Sequence, residues 1–214
     1  MLRWMPQEER PAQQGESMPN YEVSVAYVQL DIEDLDRMEL IASVAPGAVF
    51  VASEGRTKVS DVVSANSAVE AVERLAETIR SVDSTSEPIR VEFSLMAISD
   101  IAELLGLNRE TVRLWSIGKR GPGNFPAAVD SVGDRVRVWA ASDVYQWLTE
   151  NSVPCPDIRP LSMVEVTDAT KALQRLRKRW LDQPALCAVP EWTKARHEEI
   201  TVPVTHGAQD AAGL

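Results

Sequence analysis

The chain has 214 residues, of which 44% are hydrophobic and 25% are charged, as is ordinary for a globular protein of one or two domains. Its formal net charge of −10 argues against a protein that coats nucleic acid non-specifically. No segment approaches the ~20 apolar residues that span a bilayer, and the first residues lack the apolar core of a secretory signal. We therefore expect a cytoplasmic protein with no membrane partner.

Both ends of the chain have compositions typical of flexible segments. Residues 1–19 contain three prolines, three glutamates and a Gln-Gln-Gly run, which predicts a disordered leader, and Met18 is an alternative start within it. Residues 184–214 are mixed in composition and end in small residues, which predicts a flexible tail.

Cysteine and histidine are too scarce to indicate a metal or redox site. Cys155 and Cys187 form no CxxC pair, which argues against zinc and favours a reducing compartment, although a disulfide between them stays an alternative. His197 and His206 lie nine residues apart and lack the spacing of metal ligands. We expect no metal ion and no cofactor.

Residues 20–96 alternate between strand-like and helix-like patterns. Apolar residues recur at strand spacing in four segments: 21–30, 48–52, 57–65 and 89–96. They recur at helix spacing in two segments. The first helix lies between the first and second strands and is capped by Asp34, and the second lies between the third and fourth strands and is capped by Asn66 or Ser67. The turn between the second and third strands is expected at residues 53–56. This βαββαβ order predicts an α+β domain of the ferredoxin-like kind, with helices on one face of the sheet.

The acidic residues are concentrated in the same part of the chain. Residues 1–96 carry 8 Lys and Arg against 17 Asp and Glu, whereas residues 97–150 carry 6 against 7 and residues 151–214 carry 8 against 8. The acidic turn at 31–36 lacks the spacing of a calcium loop and is interpreted as solvated. We expect no convergent polar pocket in residues 21–96 and interpret this domain as one for dimerisation or effector sensing.

The segment Ala97–Leu148 begins with the pattern of a helix-turn-helix. Ala102 stands where the two helices would approach most closely, Gly106 where the turn requires a positive φ, and Asn108 where the second helix is capped. The residues expected to face the small core are Ile101, Leu105, Leu107, Val112 and Trp115.

The second helix then presents a polar face. Arg109, Glu110, Arg113 and Leu114 are left pointing outward, and the two arginines lie four residues apart on one face. An arginine there can bind guanine through two hydrogen bonds or hold a phosphate. Lys119 and Arg120 follow the helix and suit contacts to backbone phosphates.

A hairpin and a further helix follow. The run Gly121–Pro126 breaks the chain, and residues 129–132 and 135–139 are two short β-prone segments around a Gly-Asp turn. We expect Arg135 and Arg137 to point outward and Val136 and Val138 inward. Ser142 or Asp143 is expected to cap the last helix, and Phe125 and Trp139 to close the core.

Together these features resemble the winged helix-turn-helix module of the MerR and phage excisionase (AlpA-like) group, over residues 97–150. The resemblance implies sequence-directed binding to double-stranded DNA. It implies that Asn108, Arg109, Thr111 and Arg113 lie on the recognition helix, and that Arg135 and Arg137 lie in the wing. Because the module is close to neutral, we expect affinity to depend on a homodimer.

Residues 151–163 contain three prolines up to Pro160 and are expected to be a linker. Residues 164–183 predict a C-terminal helix, with apolar residues at heptad spacing: Val166, Ala169, Leu173, Leu176 and Trp180. Two interpretations of that apolar face stay open: it packs on its own protein, or it forms a dimer contact.

The sequence thus predicts a DNA-binding protein that is not an enzyme, since it offers no catalytic residues. A transcriptional regulator is the first interpretation. The alternatives are an excisionase-like recombination factor and a protein-binding adaptor, such as an antitoxin or phage-defence component.

Overall fold

A computed structural model describes residues 18–132 and 136–182 of the chain. Within these residues, six helices and eight strands form two units, the first built on a five-stranded sheet and the second on a three-stranded sheet. This mixture confirms the predicted α+β class. Three parts of the chain lie outside the described residues: 1–17, which belong to the predicted leader; 133–135, which hold the predicted Gly-Asp turn and Arg135; and the residues from 183 onward, which hold the predicted tail, Cys187 and both histidines.

The sheet of the first unit contains β1 (Asn20–Val28), β2 (Val49–Ser53), β3 (Arg56–Ser64) and β4 (Glu87–Val91), in the antiparallel order β2-β3-β1-β4. β3 covers one edge of β1 almost completely. On the other edge, β4 pairs with the end of β1, and the two-residue strand β8 (Arg159–Pro160) runs parallel to its beginning. The linker predicted over 151–163 therefore contributes a strand to the first sheet.

Three helices cover one face of that sheet: α1 (Leu35–Val44), α2 (Ala68–Val82) and α6 (Met163–Asp182). The predicted caps are confirmed, because Asp34 accepts a hydrogen bond from the Arg37 N–H and Ser67 accepts one from the Glu70 N–H. Alternation along β1 sends Val23 and Val25 into the core between sheet and helices.

The apolar face of α6 is buried within the same chain. Val166, Ala169, Leu173 and Leu176 belong to the core of the first unit, and α6 packs on α2 and β4. The guanidinium of Arg80 lies 4.5 Å from the ring centroid of Trp180. In the described residues, the apolar face of α6 therefore packs on its own protein, which is the first of the two interpretations given above.

The second unit contains β5 (Leu95–Ala97), α3 (Ile98–Leu104), α4 (Arg109–Ser116), β6 (Asp130–Val132), β7 (Val136–Ala140) and α5 (Ala141–Glu150). Its strands are antiparallel in the order β5-β7-β6. The core between sheet and helices is separate from the first and includes Ile101, Val112, Trp139, Val144 and Leu148.

The prediction of a single strand over 89–96 is wrong, because two strands of different sheets occupy this segment. β4 ends at Val91 and the Glu92 N–H still donates to the Ser24 carbonyl, but β5 begins at Leu95 in the other sheet, paired with Ala140. Alternation of apolar and polar residues continues through the junction, so the pattern cannot reveal a change of partner strand.

The cap predicted for the last helix is also wrong. α5 begins at Ala141 without a side-chain cap from Ser142 or Asp143. The Ala141 N–H donates instead to the carbonyl of Ser94, 3.0 Å away in the segment between the two sheets. A tertiary hydrogen bond therefore does what the side chain was expected to do.

Candidate nucleic-acid interface

The turn between α3 and α4 is closed by local hydrogen bonds. Gly106 has the expected positive φ of 61°, and its N–H donates to the Glu103 carbonyl while the Leu107 N–H donates to the Ala102 carbonyl. This is the Schellman arrangement that ends many helices. The side-chain oxygen of Asn108 then accepts the Glu110 N–H at 2.8 Å and begins α4, which confirms the predicted cap.

The core beneath the two helices is mostly as predicted. Ile101, Ala102 and Val112 are buried, and Trp115 packs against them while partly exposed. Leu107, expected in the core, is instead 38% exposed. It follows the left-handed Gly106, and its N–H turns back toward α3, so its side chain is left on the outside of the turn.

The outward face of α4 carries Arg109, Glu110 and Arg113, all exposed. Arg113 is bound by Glu110 through two hydrogen bonds, from its Nε (2.7 Å) and from one terminal nitrogen (2.6 Å). Hydrogen bonding by Arg113 lowers the pKa of the Glu110 carboxyl, and Glu110 in turn raises the pKa of Arg113. The pair occupies one edge of the guanidinium and leaves the other edge, with its two parallel N–H groups, open.

The other two predicted contact residues, Asn108 at the cap of α4 and Thr111 within it, are less available to a ligand than the arginines. Thr111 is half-buried. The side-chain oxygen of Asn108 is used in the cap, so its amide N–H₂ group is the part left for a ligand. Of the predicted recognition residues, the structure therefore brings Arg109 and Arg113 together most clearly on one accessible face.

Two further predicted cations follow α4 directly. A second Schellman turn ends this helix: Gly118 has a φ of 68°, and the Lys119 N–H donates to the Leu114 carbonyl at 2.9 Å. Lys119 and Arg120 are both exposed. In the part of the chain that the structure describes, neither they nor Arg109 form a salt bridge within 4 Å.

The loop that follows is held by aromatic residues, of which Phe125 and Trp139 were predicted to close the core, whereas the hydrogen bonds of the two indoles to the loop were not. The Nε1 of Trp147 donates to the Gly123 carbonyl (2.9 Å), and the Nε1 of Trp139 donates to the Pro126 carbonyl (3.0 Å). The ring of Phe125 lies edge-on to both tryptophans, as expected for the contact with Trp139.

Gly121 is the tightest point of this loop. Its φ is 88°, and a Cβ placed on it would lie 2.4 Å from Cδ1 of Trp115. Only glycine allows this close approach, because any side chain would collide with the indole. The loop is thereby fixed against the end of α4, next to Lys119 and Arg120.

The hairpin of β6 and β7 differs from its predicted orientation. Val136, expected to point inward, is 48% exposed, whereas Val138 is buried. Arg137 is exposed, but it lies on the same strand face as the buried Trp139, with its guanidinium 5.6 Å from that ring centroid. The buried part of β7 begins at Val138, so Val136 and Arg137 at the start of the strand are exposed on both of its faces.

A polar cavity lies between the two units, although we expected none in residues 21–96. It has a volume of about 290 Å³ and is lined chiefly by residues of β1, β3, β5 and α5. Glu22, Ser24 and Ser60 come from strands that are distant in sequence but adjacent in the sheet. Only strand pairing and the docking of the second unit bring them together, which local patterns do not reveal.

Three other findings bear on function. No group of three or more His, Cys, Asp or Glu residues within 18–132 and 136–182 could hold a metal ion. No helix of those same segments combines the length and the apolar character needed to cross a membrane. Comparisons with protein-family models, curated proteins and solved structures found no match to the chain. Function must therefore be inferred from the geometry and charge of α4 and its surroundings.

Proposed function

We propose that the chain is a cytoplasmic transcriptional regulator that binds double-stranded DNA by sequence, as a homodimer, through a winged helix-turn-helix formed by residues 95–150. One observation carries the proposal. α4 buries Val112 completely and presents Arg109 and Arg113 on its exposed face, between two hydrogen-bonded turns that hold the helix in position.

In this proposal α4 enters the major groove. The open edge of the Arg113 guanidinium offers two parallel N–H donors, which match the O6 and N7 acceptors of guanine. Arg109, Lys119 and Arg120 bind backbone phosphates, and Arg137 contacts the backbone beside the hairpin. The amide of Asn108 and the hydroxyl of Thr111 take minor parts at the start of the helix.

The first unit is proposed to be a ferredoxin-like domain that brings two copies together or senses an effector. The element order βαββαβ and the antiparallel strand order β2-β3-β1-β4 support this assignment. A dimer would place two copies of α4 on half-sites about one helical turn apart. An excisionase-like factor would use the same contacts and differ only in its target sites.

A protein-binding adaptor is the second candidate, and a specific observation favours it. Leu107 and Ile117, at the two ends of α4, are 38% and 37% exposed. Apolar side chains beside a recognition face suit a protein partner better than a phosphate backbone. In an adaptor, the Glu110–Arg113 pair would serve as a polar contact rather than as a base reader.

Selection from a random DNA library, followed by fluorescence anisotropy at two salt concentrations, tests the DNA proposal. We expect one enriched motif and an affinity that falls with salt, because each phosphate contact releases counterions. Arg109→Ala should weaken binding and reduce the salt slope by about one. Arg56→Ala, an exposed arginine at the start of β3, is the matched control and should change neither. No enriched motif and no salt dependence would favour the adaptor.

A further inference from the structure

The polar cavity between the two units, which we call the junction cavity, has features of a ligand site. Its floor is the face of the first sheet that the helices do not cover. Alternation along β1 places Glu22 and Ser24 on that face, opposite the core residue Val23. The hydroxyls of Ser24 and its cross-strand partner Ser60 lie 2.7 Å apart in a hydrogen bond.

The charges of the lining are unequal. Two carboxylates, Glu22 and Glu92, face one ammonium, Lys58. Glu92 is bound by Arg90, whose Nε lies 2.8 Å from its carboxylate. Glu22 has no such partner in the described part of the chain: burial raises the pKa of its carboxyl, and Lys58 and a hydrogen bond from Ser94 offset this in part. Burial opposes the charged form of this carboxyl, and a cation beside Glu22 would favour it.

The register of the sheet spaces these groups along the cavity. Lys58 pairs with Ala26, two residues beyond Ser24, while Glu22 lies two residues before it. The hydroxyl pair therefore separates the carboxylate from the ammonium. Tyr145 of α5 lines the same cavity as Glu22, and the carboxylate adds to the larger effect of burial in raising the pKa of the Tyr145 hydroxyl.

We propose that the junction cavity binds a small organic ammonium ion, with Glu22 as its counter-charge and the hydroxyls of Ser24, Ser60 and Tyr145 as its hydrogen-bonding walls. The volume of about 290 Å³ lies at the lower end of the range for small-molecule sites, which restricts the ligand to a compact amine.

Occupancy of this cavity is coupled to α4. β5 and α5 close the cavity, and the same two elements belong to the core on which α4 packs. An amine that bridges the sheet and α5 stabilises one arrangement of the two units and so changes the affinity of α4 for its target. This coupling rests on the proposed DNA binding, whereas binding of the amine does not.

The test is a titration of the full chain with ethanolamine and with putrescine, up to about 10 mM. Amide chemical shifts of Ser24, Ser60, Ser94 and Tyr145 report the cavity. We expect at least one of the two amines to give saturable shifts, while glycerol and acetate, which carry no ammonium group, do not. Absence of saturation with both amines, or equal shifts with glycerol, would overturn the proposal.

Two variants make the assignment to Glu22 specific. Glu22→Gln should weaken amine binding by about tenfold or more, since the hydrogen-bonding shape is kept and only the charge is lost. Glu39→Gln, at an exposed position on α1, should leave binding unchanged. Equal binding by wild type and Glu22→Gln would contradict the role of Glu22. Tyr145→Phe provides a second variant that removes one hydroxyl and should weaken binding several-fold.

A DNA titration with and without saturating amine then tests the coupling. We expect the affinity for the selected DNA to change by about fivefold or more. An unchanged affinity overturns the coupling and leaves amine binding intact. Loss of DNA binding altogether overturns the proposed function, and the amide shifts still decide whether the cavity takes an amine.

Discussion

Gly121→Ala is the substitution whose effect the structure defines most closely. Two costs add at this position. A non-glycine residue at the φ of 88° costs about 1–2 kcal/mol. In addition, the new Cβ would lie 2.4 Å from Cδ1 of Trp115, so the indole must move, and overpacking of this kind typically costs about 1–3 kcal/mol.

Gly123→Ala is the matched control for this substitution. Gly123 has nearly the same φ, 87°, but a Cβ there would meet no atom within 4 Å. The conformational cost and the gain from a stiffer unfolded chain are shared by both variants. The difference between them therefore isolates the collision with Trp115, and we expect Gly121→Ala to be the less stable by about 1–3 kcal/mol.

Urea unfolding followed by tryptophan fluorescence measures this difference, because Trp115, Trp139 and Trp147 all lie in the second unit. The signal of Trp115 should also change in the folded state of Gly121→Ala, since its ring packs 5.5 Å from that of Trp147. Equal stabilities of the two variants, within about 0.5 kcal/mol, would refute the close packing of the loop on α4.

Two further predictions concern charged side chains. Burial opposes the charge of Asp83, yet hydrogen bonds from Ser86 and Thr85, together with the charge of Arg37, hold the pKa of its carboxyl below the usual value. The charged carboxylate of Asp83 therefore stabilises the fold at neutral pH, and this contribution is lost as pH falls below about 4. In urea unfolding, Asp83→Asn should be less stable than the wild type at pH 7 and should lose less stability on acidification. An identical pH dependence of the two proteins would contradict this prediction. Arg113→Lys keeps the charge but loses the planar fork, and we expect about ten- to a hundredfold weaker binding to the selected DNA with an unchanged salt slope, measured by anisotropy. Equal affinity would mean that Arg113 acts only as a charge.

Local signals were sufficient to predict several turns and caps. Asp34 and Asn108 act within three residues of themselves, and Gly106 is demanded by the conformation of a single turn. The turn of the β2–β3 hairpin is also confirmed, with Glu54 and Gly55 both at positive φ. These features depend on the residue and its immediate neighbours, so one sequence contains the information.

Features that depend on partners distant in the chain were not predicted. The change of sheet between Val91 and Leu95, the start of α5 at Ala141 and the strand β8 all arise from tertiary hydrogen bonds. The junction cavity has the same origin, since strand pairing and docking assemble it. The alternation of apolar and polar residues is the same in a strand that continues and in a strand that changes its partner, so the sequence pattern cannot distinguish the two.

The candidate interface lies between these cases. Arg109 and Arg113 were predicted from helical spacing, but the ion pair of Arg113 with Glu110 was not, although a separation of three residues is the usual signal for one. The restraint of the following loop by Gly121 against Trp115 gives no sequence signal beyond the glycine itself.

Mapping the bound surface by amide chemical shifts, during titration of the chain with its selected DNA, tests the central claim most directly. We predict that the largest shifts occur in α4, at Lys119 and Arg120, and in the β6–β7 hairpin, while the β2–β3 hairpin of the first unit stays unchanged. Shifts confined to the first unit, or an α4 that is unaffected by saturating DNA, would contradict the claim that α4 is the helix that binds DNA.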